Sequence, residues 1–171
     1  NRSVKGFIEF SGDKYETIGV DLVFPVLHGK NGEDGTVQGL FELAGIPVVG
    51  CDTLSSALCM DKDRAHKLAA LAGIDVPRSV TFNRFNMGEA LEQIGSSLSY
   101  PLFVKPVRAG SSFGITKISK KEELETAIEL AFEHDAEVIV EEAIDGFEVG
   151  CAVMGHREPV VGEVDEIELA G

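Results

Sequence analysis

Three short stretches of this chain bring together residue types that act on charged small molecules. In "VKPVRAGSSFG", residues 104 to 114, Lys105 sits in a run of strand formers and is followed by Ser111, Ser112 and Phe113 between two glycines. A lysine held on a strand can direct its ammonium at phosphate oxygens. A Gly-Ser-Ser turn adds backbone N–H groups and two hydroxyl donors with little bulk. Together they can surround a triphosphate. The order is not that of the P-loop G-x-x-x-x-G-K-[ST], because the lysine precedes the glycines and no helix follows at once. On spacing alone, the same residues also suit a flexible hairpin tip beside one edge lysine.

In "VEEAIDGFEVG", Glu141 and Glu142 end an apolar run and Glu148 returns seven residues after Glu141. A carboxylate at a strand end can accept from an adenine amino group. The backbone of the connector can meet the ring edge, and the next carboxylate can accept from ribose hydroxyls. A solvated hairpin with exposed acids has the same appearance. In "LHGKNGEDG", His28 closes an apolar run before a loop with three glycines, the place where parallel α/β sheets bind ligands. A histidine there can donate to a substrate carboxylate or steady developing negative charge. It can equally be an ordinary loop residue. Glu33 and Asp34 suit the start of the following helix, where carboxylates complement the N-terminus.

Composition narrows the field. The 171 residues carry 15 Lys and Arg against 29 Asp and Glu, a formal charge of -14. A polyanion surface needs clustered cations, so nucleic acid is not the expected partner and only a local basic pocket can hold phosphate. The four histidines are scattered without H-x-x-x-H spacing, which argues against a zinc site and leaves an oxygen-liganded ion such as magnesium. No apolar run is long enough to span a membrane and the N-terminus lacks a signal-peptide layout, so the setting expected is cytoplasmic. Cys51, Cys59 and Cys151 have no C-x-x-C spacing and are expected to be reduced and packed in apolar surroundings.

These residues need rigid elements to position them. "DLVFPVL", 21 to 27, reads as a strand covered on both faces, with Pro25 limiting its hydrogen bonds. A helix follows, with Val37, Leu40, Phe41 and Ala44 on one face and Gly45 as its stop, and "IPVVG" is the next strand. Strand, crossover helix and strand form a βαβ unit and imply a parallel sheet, the end of a doubly wound domain. A second helix is expected over 60 to 73 and a short one around Leu91 and Ile94. "PLFVKPV" and "ITKI" read as a hairpin with a long glycine-rich tip. Ser119 and Glu122 form an S-x-x-E capping box for a helix with Leu124, Ala127, Ile128 and Ala131 on one face. Strands are expected over 137 to 142 and 147 to 154, joined across Asp145-Gly146, and again at "PVVGEVDEI". The fold class is therefore α/β followed by α+β, with a boundary near residue 60. The chain starts without methionine and stops after an alternating pattern, which suggests a segment of a longer protein.

The order of "LHGKNGEDGTVQG", "GCDTLSSALCMDK", "PLFVKPVRAGSSFG" and "VIVEEAIDGFEVG" resembles the D-alanine:D-alanine ligase family of ATP-grasp enzymes over nearly the whole chain. Within it, "AGSSFG", "EVGCAVMG" and "VGEVDEI" are more similar to the vancomycin-resistance subgroup, above all its VanG-type D-alanine:D-serine ligases. The resemblance implies residues 1–60 as the end of the N-terminal α/β domain, 61–145 as the central ATP-grasp subdomain and 146–171 as the start of the C-terminal one. It implies activation of a D-alanine carboxylate by the γ-phosphate of ATP and displacement of phosphate by the amine of a second substrate. D-serine is the first expectation; D-alanine, or D-lactate giving an ester, are the rivals. An ATP-binding module without catalysis is the alternative from another class.

Carried over position by position, the resemblance implies that Lys62 and Lys105 bind ATP phosphates. Ser111 and Ser112 form the mobile loop over them, and Ser111 also orders the substrate network. Glu141 accepts from the adenine amino group, Ala143 and Ile144 meet the ring edge through their backbone, and Glu148 holds the ribose. His28 lies near the carboxyl group being activated. Phe113 stands where housekeeping ligases commonly have a smaller residue. The family's N-terminal substrate glutamate, its lid loop, its catalytic arginine and its magnesium ligands have no counterpart in this sequence. The segment by itself is therefore expected to have little ligase activity. The resemblance also implies a homodimer.

Overall fold

The structure, a computed structural model, describes residues 5–167. Its centre is a four-stranded antiparallel sheet built from β3 (Ser79–Asn83), β4 (Leu102–Pro106), β5 (Thr116–Ile118) and β6 (Glu137–Glu142) in the order β3-β6-β4-β5. On β4, Leu102, Val104 and Pro106 are buried and alternate with the half-buried Phe103 and Lys105. One face thus belongs to the core and the other to a site, as period-two side-chain alternation requires. The core face is covered by α4 (Met87–Ser97) through Ala90 and Ile94 and by α5 (Leu124–Phe132) through Leu124, Ala127, Ile128 and Ala131. The α5 stripe is the one its spacing predicts.

β6 is buried on both faces: Val138 and Val140 enter the core, while Ile139 and Glu141 are 0% and 4% exposed on the other side. That second face is reached by α3 (Lys62–Leu71), where Arg64 Nη1 lies 3.3 Å from Glu137 and His66 Nδ1 lies 4.0 Å from Glu141. A strand covered on both sides needs an unbroken apolar run, and "VIV" supplies it.

Before this unit, β1 (Gly6–Ser11) and β2 (Lys14–Gly19) form an antiparallel hairpin, α1 spans Thr36–Ala44 and α2 spans Thr53–Met60. The expected strand over 21 to 27 is reduced to a parallel bridge between Val23 and Val48, whose bonds run from Val23 N–H to the Pro47 carbonyl and from Val49 N–H to the Val23 carbonyl, both 2.9 Å. Pro25 has no N–H with which to extend the ladder. The parallel sense is nonetheless that of the expected βαβ unit.

Several expectations are corrected. The helix expected over 60 to 73 begins at Lys62, because Asp61 is extended (φ -86°, ψ 103°) and its carboxylate caps α3 by accepting from the Arg64 N–H at 2.9 Å. The preceding α2 is a separate helix capped by Asp52, which accepts from Ser55 N–H at 2.7 Å. The capping box at Ser119 does not form as read: Glu123, not Glu122, accepts from the Ser119 N–H at 2.8 Å, and a 3₁₀ turn over Lys121–Glu123 precedes α5. β7 (Glu148–Met154) is not paired with β6 but with β8 (Val160–Ile167), in a separate two-stranded sheet. The three cysteines are free as expected, but exposed rather than packed. Cys59 lies on the solvent side of α2 and Cys151 on the β7–β8 ribbon, which has no covering layer among the described residues. No helix of the described residues is long and apolar enough to cross a membrane.

Candidate functional site

The site forms where the second face of the central sheet meets the N-terminus of α3. Lys105 on β4 and Glu141 on β6 project from the same face and are joined as an ion pair. Glu141 Oε2 is buried without a hydrogen-bond partner. The resemblance assigns a role to Glu141 and none to its neighbour Glu142, and the two differ in their surroundings. Glu142 is held by Arg78, whose Nε donates at 2.9 Å and whose backbone N–H donates at 2.9 Å, so Glu141 is the carboxylate left for the site.

Lys62 staples α3 to the start of the glycine-serine loop. Its backbone N–H donates to the Val107 carbonyl at 3.1 Å and its Nζ donates to the Ala109 carbonyl at 2.8 Å. Burial lowers the Lys62 pKa, the nearby Lys105 ammonium adds to the effect, and Glu141, Asp135 and Asp61 only partly offset it. Two ammonium groups that repel each other in a half-buried setting are an environment an oligophosphate would relieve.

The loop itself has unusual backbone. Ser111 and Ser112 have φ of 51° and 58°, and Gly114 has φ of 69°. Serines in the left-handed region are uncommon, and such conformations gather at ligand clamps. The loop's base is fixed by Arg108, which donates to Asp135 from its backbone N–H (2.7 Å), Nε (3.0 Å) and Nη2 (2.7 Å). Burial raises the Asp135 pKa, yet the hydrogen bonds from Arg108 and from backbone N–H groups outweigh it and hold the carboxyl below its ordinary value. At the tip, the exposed Phe113 stands 6.3 Å from the His134 ring.

The same loop touches the loop of His28. A methyl group placed on Gly110 would lie 2.7 Å from Gly29 Cα, so the two backbones are in direct contact. Glycine is needed there for that approach. His28 is open to solvent, with 80% of its side chain exposed and its Nδ1 4.0 Å from Glu33. Glu33 accepts from the Gly29 N–H and so holds this loop rather than starting α1; Asp34, accepting from Thr36 N–H at 3.0 Å, does sit at the helix start. A cavity of about 1190 Å³ runs from His28 along α1, lined by Leu27, Val37, Leu40 and Leu43.

The structure thus brings Lys105 and Glu141 together, ties Lys62 to the start of the Ser111–Ser112 loop, and sets that loop against the loop of His28. Ala143 and Ile144 follow directly from β6. The Ala143 N–H is already used by the Pro101 carbonyl at 3.2 Å, which leaves its carbonyl and the Ile144 backbone for a ligand. Glu148 opens β7 in an exposed position and, among the described residues, makes no hydrogen bond to the other site residues. A buried, unpartnered carboxylate oxygen beside two ammonium groups and a glycine-serine clamp fits the adenine and phosphate ends of ATP. Magnesium does not fit in the same way: among the described residues no three His, Cys, Asp or Glu side chains are grouped to hold a metal ion. His66, beside Glu141, was not singled out by the sequence, where it is one histidine in a charged helix.

Comparison with known proteins places this arrangement. Residues 3–51 match the family model "D-ala D-ala ligase N-terminus" and residues 68–171 match "D-ala D-ala ligase C-terminus". The chain is 52% identical over 171 residues to the vancomycin B-type resistance protein VanB of Enterococcus faecalis, covering 99% of this chain and 48% of that protein. It is 48% identical to a putative D-alanine–D-lactate ligase of Streptomyces coelicolor, again over 99% of this chain and 48% of the relative. Among solved structures, the VanG D-Ala:D-Ser ligase from Enterococcus faecalis shares 75% identity with a TM-score of 0.91, over 98% of this chain and 48% of that one. The D-alanine-D-alanine ligase from Coxiella burnetii shares 33% identity with a TM-score of 0.81, over 94% of this chain and 50% of that one. The chain spans about half the length of the relatives it matches. With both family models matched in order and the fold shared with solved ligases, the chain belongs to the D-alanine:D-alanine ligase family.

Proposed function

We propose that the protein is an ATP-dependent D-alanine:D-serine ligase and that this chain supplies the nucleotide side of its active site. The observation that carries the reading is the convergence of Lys62, Lys105 and Glu141 with the strained Ser111–Ser112 turn, packed against the His28 loop. The D-serine assignment is supported by the 75% identity to a ligase of that specificity. The family resemblance supports a cytoplasmic, homodimeric enzyme. We place the domain boundaries at residues 60 and 145. The first is supported by the two family models lying on either side of it, the second by the separate β7–β8 sheet.

In this reading an oxygen of the D-alanine carboxylate attacks the γ-phosphorus and the bond to the ADP oxygen breaks. The amine of D-serine then attacks the resulting acyl phosphate, and inorganic phosphate leaves as the amide forms. Lys62 and Lys105 hold the charged oligophosphate, and charge already fixed in a dry site needs no reorganisation as the bond breaks. The Ser111 and Ser112 hydroxyls and neighbouring N–H groups close over it and position it for in-line attack. Glu141 accepts from the adenine amino group, the backbone at Ala143 and Ile144 meets the ring edge, and Glu148 accepts from the ribose. His28, in the loop that meets the clamp through Gly29, stands beside the carboxyl group being activated. Magnesium bound by residues outside the described chain would share the phosphate charge, and no step here depends on it.

The test uses the full-length protein with ATP, D-alanine and equal concentrations of D-serine and D-lactate, with products separated by mass. D-alanyl-D-serine as the main product is expected. A main product of D-alanyl-D-alanine or the D-lactate ester overturns the D-serine assignment, and ATP binding with no ligated product overturns the ligase reading.

A further inference from the structure

Glu141 raises a problem that the nucleotide reading does not solve. It is 4% exposed, and its two oxygens are unequally served. Oε1 is paired with Lys105, while Oε2 is buried with no partner. When Lys105 is drawn to a phosphate, its pairing with Oε1 weakens. The carboxylate would then be a buried charge with its cation leaving, an unfavourable state unless something replaces it.

A replacement stands ready on α3. The Nδ1 of His66 is also buried without a partner, and it faces Glu141 Oε2 across 4.0 Å. Two orphaned polar atoms of complementary kind are thus separated by about 1 Å more than a hydrogen bond allows. Buried polar atoms rarely remain unpaired without a functional reason. On its other side His66 lines a cavity of about 310 Å³ with Asp63, Ser79 and Thr81, so the ring is not locked there by packing. Lys62 and His66 are one turn apart on the same helix, so the residue that staples the clamp and the residue facing Glu141 move together.

We infer that His66 is a positioning residue for the nucleotide: it takes over Glu141 through an Nδ1–H···Oε2 hydrogen bond as Lys105 transfers to the phosphates, keeping the carboxylate aimed at the adenine amino group. The inference rests on the nucleotide-site reading above. It assigns His66 no contact with ATP itself.

The experiment measures the affinity of the full-length protein for β,γ-imido-ATP by titration calorimetry, with thermal unfolding of each variant as a check on folding. His66→Ala should weaken binding about tenfold, the size expected for loss of one hydrogen bond to a charged group. His66→Gln, which keeps a donor, should recover most of that loss. In a Glu141→Gln background there is no charge to hand over, so adding His66→Ala should change affinity by less than about twofold. An unchanged affinity for His66→Ala, or the same tenfold loss in the Glu141→Gln background, overturns the hand-over while leaving the nucleotide site intact. If Lys105→Ala and Glu141→Gln also bind as the parent does, the nucleotide-site reading fails and this inference with it.

Discussion

Replacing Gly110 with alanine asks whether the loop of Ser111 and Ser112 and the His28 loop must touch for the proposed ligase activity. The added methyl would lie 2.7 Å from Gly29 Cα and 3.3 Å from both Glu33 Oε2 and Met60 Cε. The last two atoms end flexible side chains and can turn aside. Gly29 Cα is backbone and cannot. Carbon atoms in ordinary contact are about 3.5–4.0 Å apart, so the two loops must separate by about 1 Å. A misplacement of that size costs about a hundredfold in rate when it falls between groups aligned for reaction. The assay is steady-state phosphate release from ATP with D-alanine and D-serine in the full-length protein, beside the thermal midpoint. We expect kcat/KM to fall about a hundredfold with a much smaller change in stability. Gly95→Ala is the control: no atom lies within 4 Å of its added methyl, and on α4 it should stabilise the helix by about 0.5–1 kcal/mol. Turnover of Gly110→Ala within threefold of the parent would refute the claim that this contact aligns the site.

The other predictions concern charge and core. Asp135 has a folded pKa held below its ordinary value. Its stabilisation is therefore complete above the unfolded value of about 3.9 and fades as pH falls through the lower folded value. Asp135→Asn should cost about 2 kcal/mol between pH 5 and 7, and the difference from the parent in urea unfolding should shrink below about pH 4; a gap that persists at pH 2 would show that the charge is not its source. Leu102 is 0% exposed in the core, so Leu102→Ala should lower unfolding free energy by about 2–5 kcal/mol, measured by chemical denaturation; a cost under 1 kcal/mol would place the core elsewhere. Glu148→Ala should weaken ATP affinity more than turnover, since a ribose contact is held throughout the reaction; a loss confined to kcat would argue against that role. Lys105→Ala should weaken ATP binding and slow the reaction together, and unchanged values for both would remove it from the site.

Much of the central sheet could be read before any coordinates. β4 and β6 alternate or run apolar without interruption, and α5 places four apolar residues on one face, so their local patterns agree with their tertiary roles. The hairpin of β1 and β2 was missed although "FIEF" and "YETI" alternate on either side of Gly12-Asp13. Its signal lies in the turn between them. α2 is faint in the sequence for a similar reason: "TLSSALCM" has weak periodicity, and its start is marked only by the cap, Asp52 three residues before Ser55. The site residues were recognisable as types in order, whereas their partners were not. Nothing local says that Arg78 takes Glu142 and so leaves Glu141 to face the cleft, because the two residues are 64 positions apart. His66 lacked any signal at all, since its meaning comes only from the atom it faces.

The five residues of β4 serve two masters in alternation. Leu102, Val104 and Pro106 answer to the hydrocarbon beneath, and Phe103 and Lys105 to the cleft above. Substitutions can therefore separate folding from catalysis position by position. Insertions and deletions cannot: shifting the strand by one residue would exchange the two sets, driving an ammonium into the core and Leu102 and Val104 into the cleft. Length variation in relatives of this chain should accordingly collect between α4 and β4, and be absent from the strand and from the clamp that follows it.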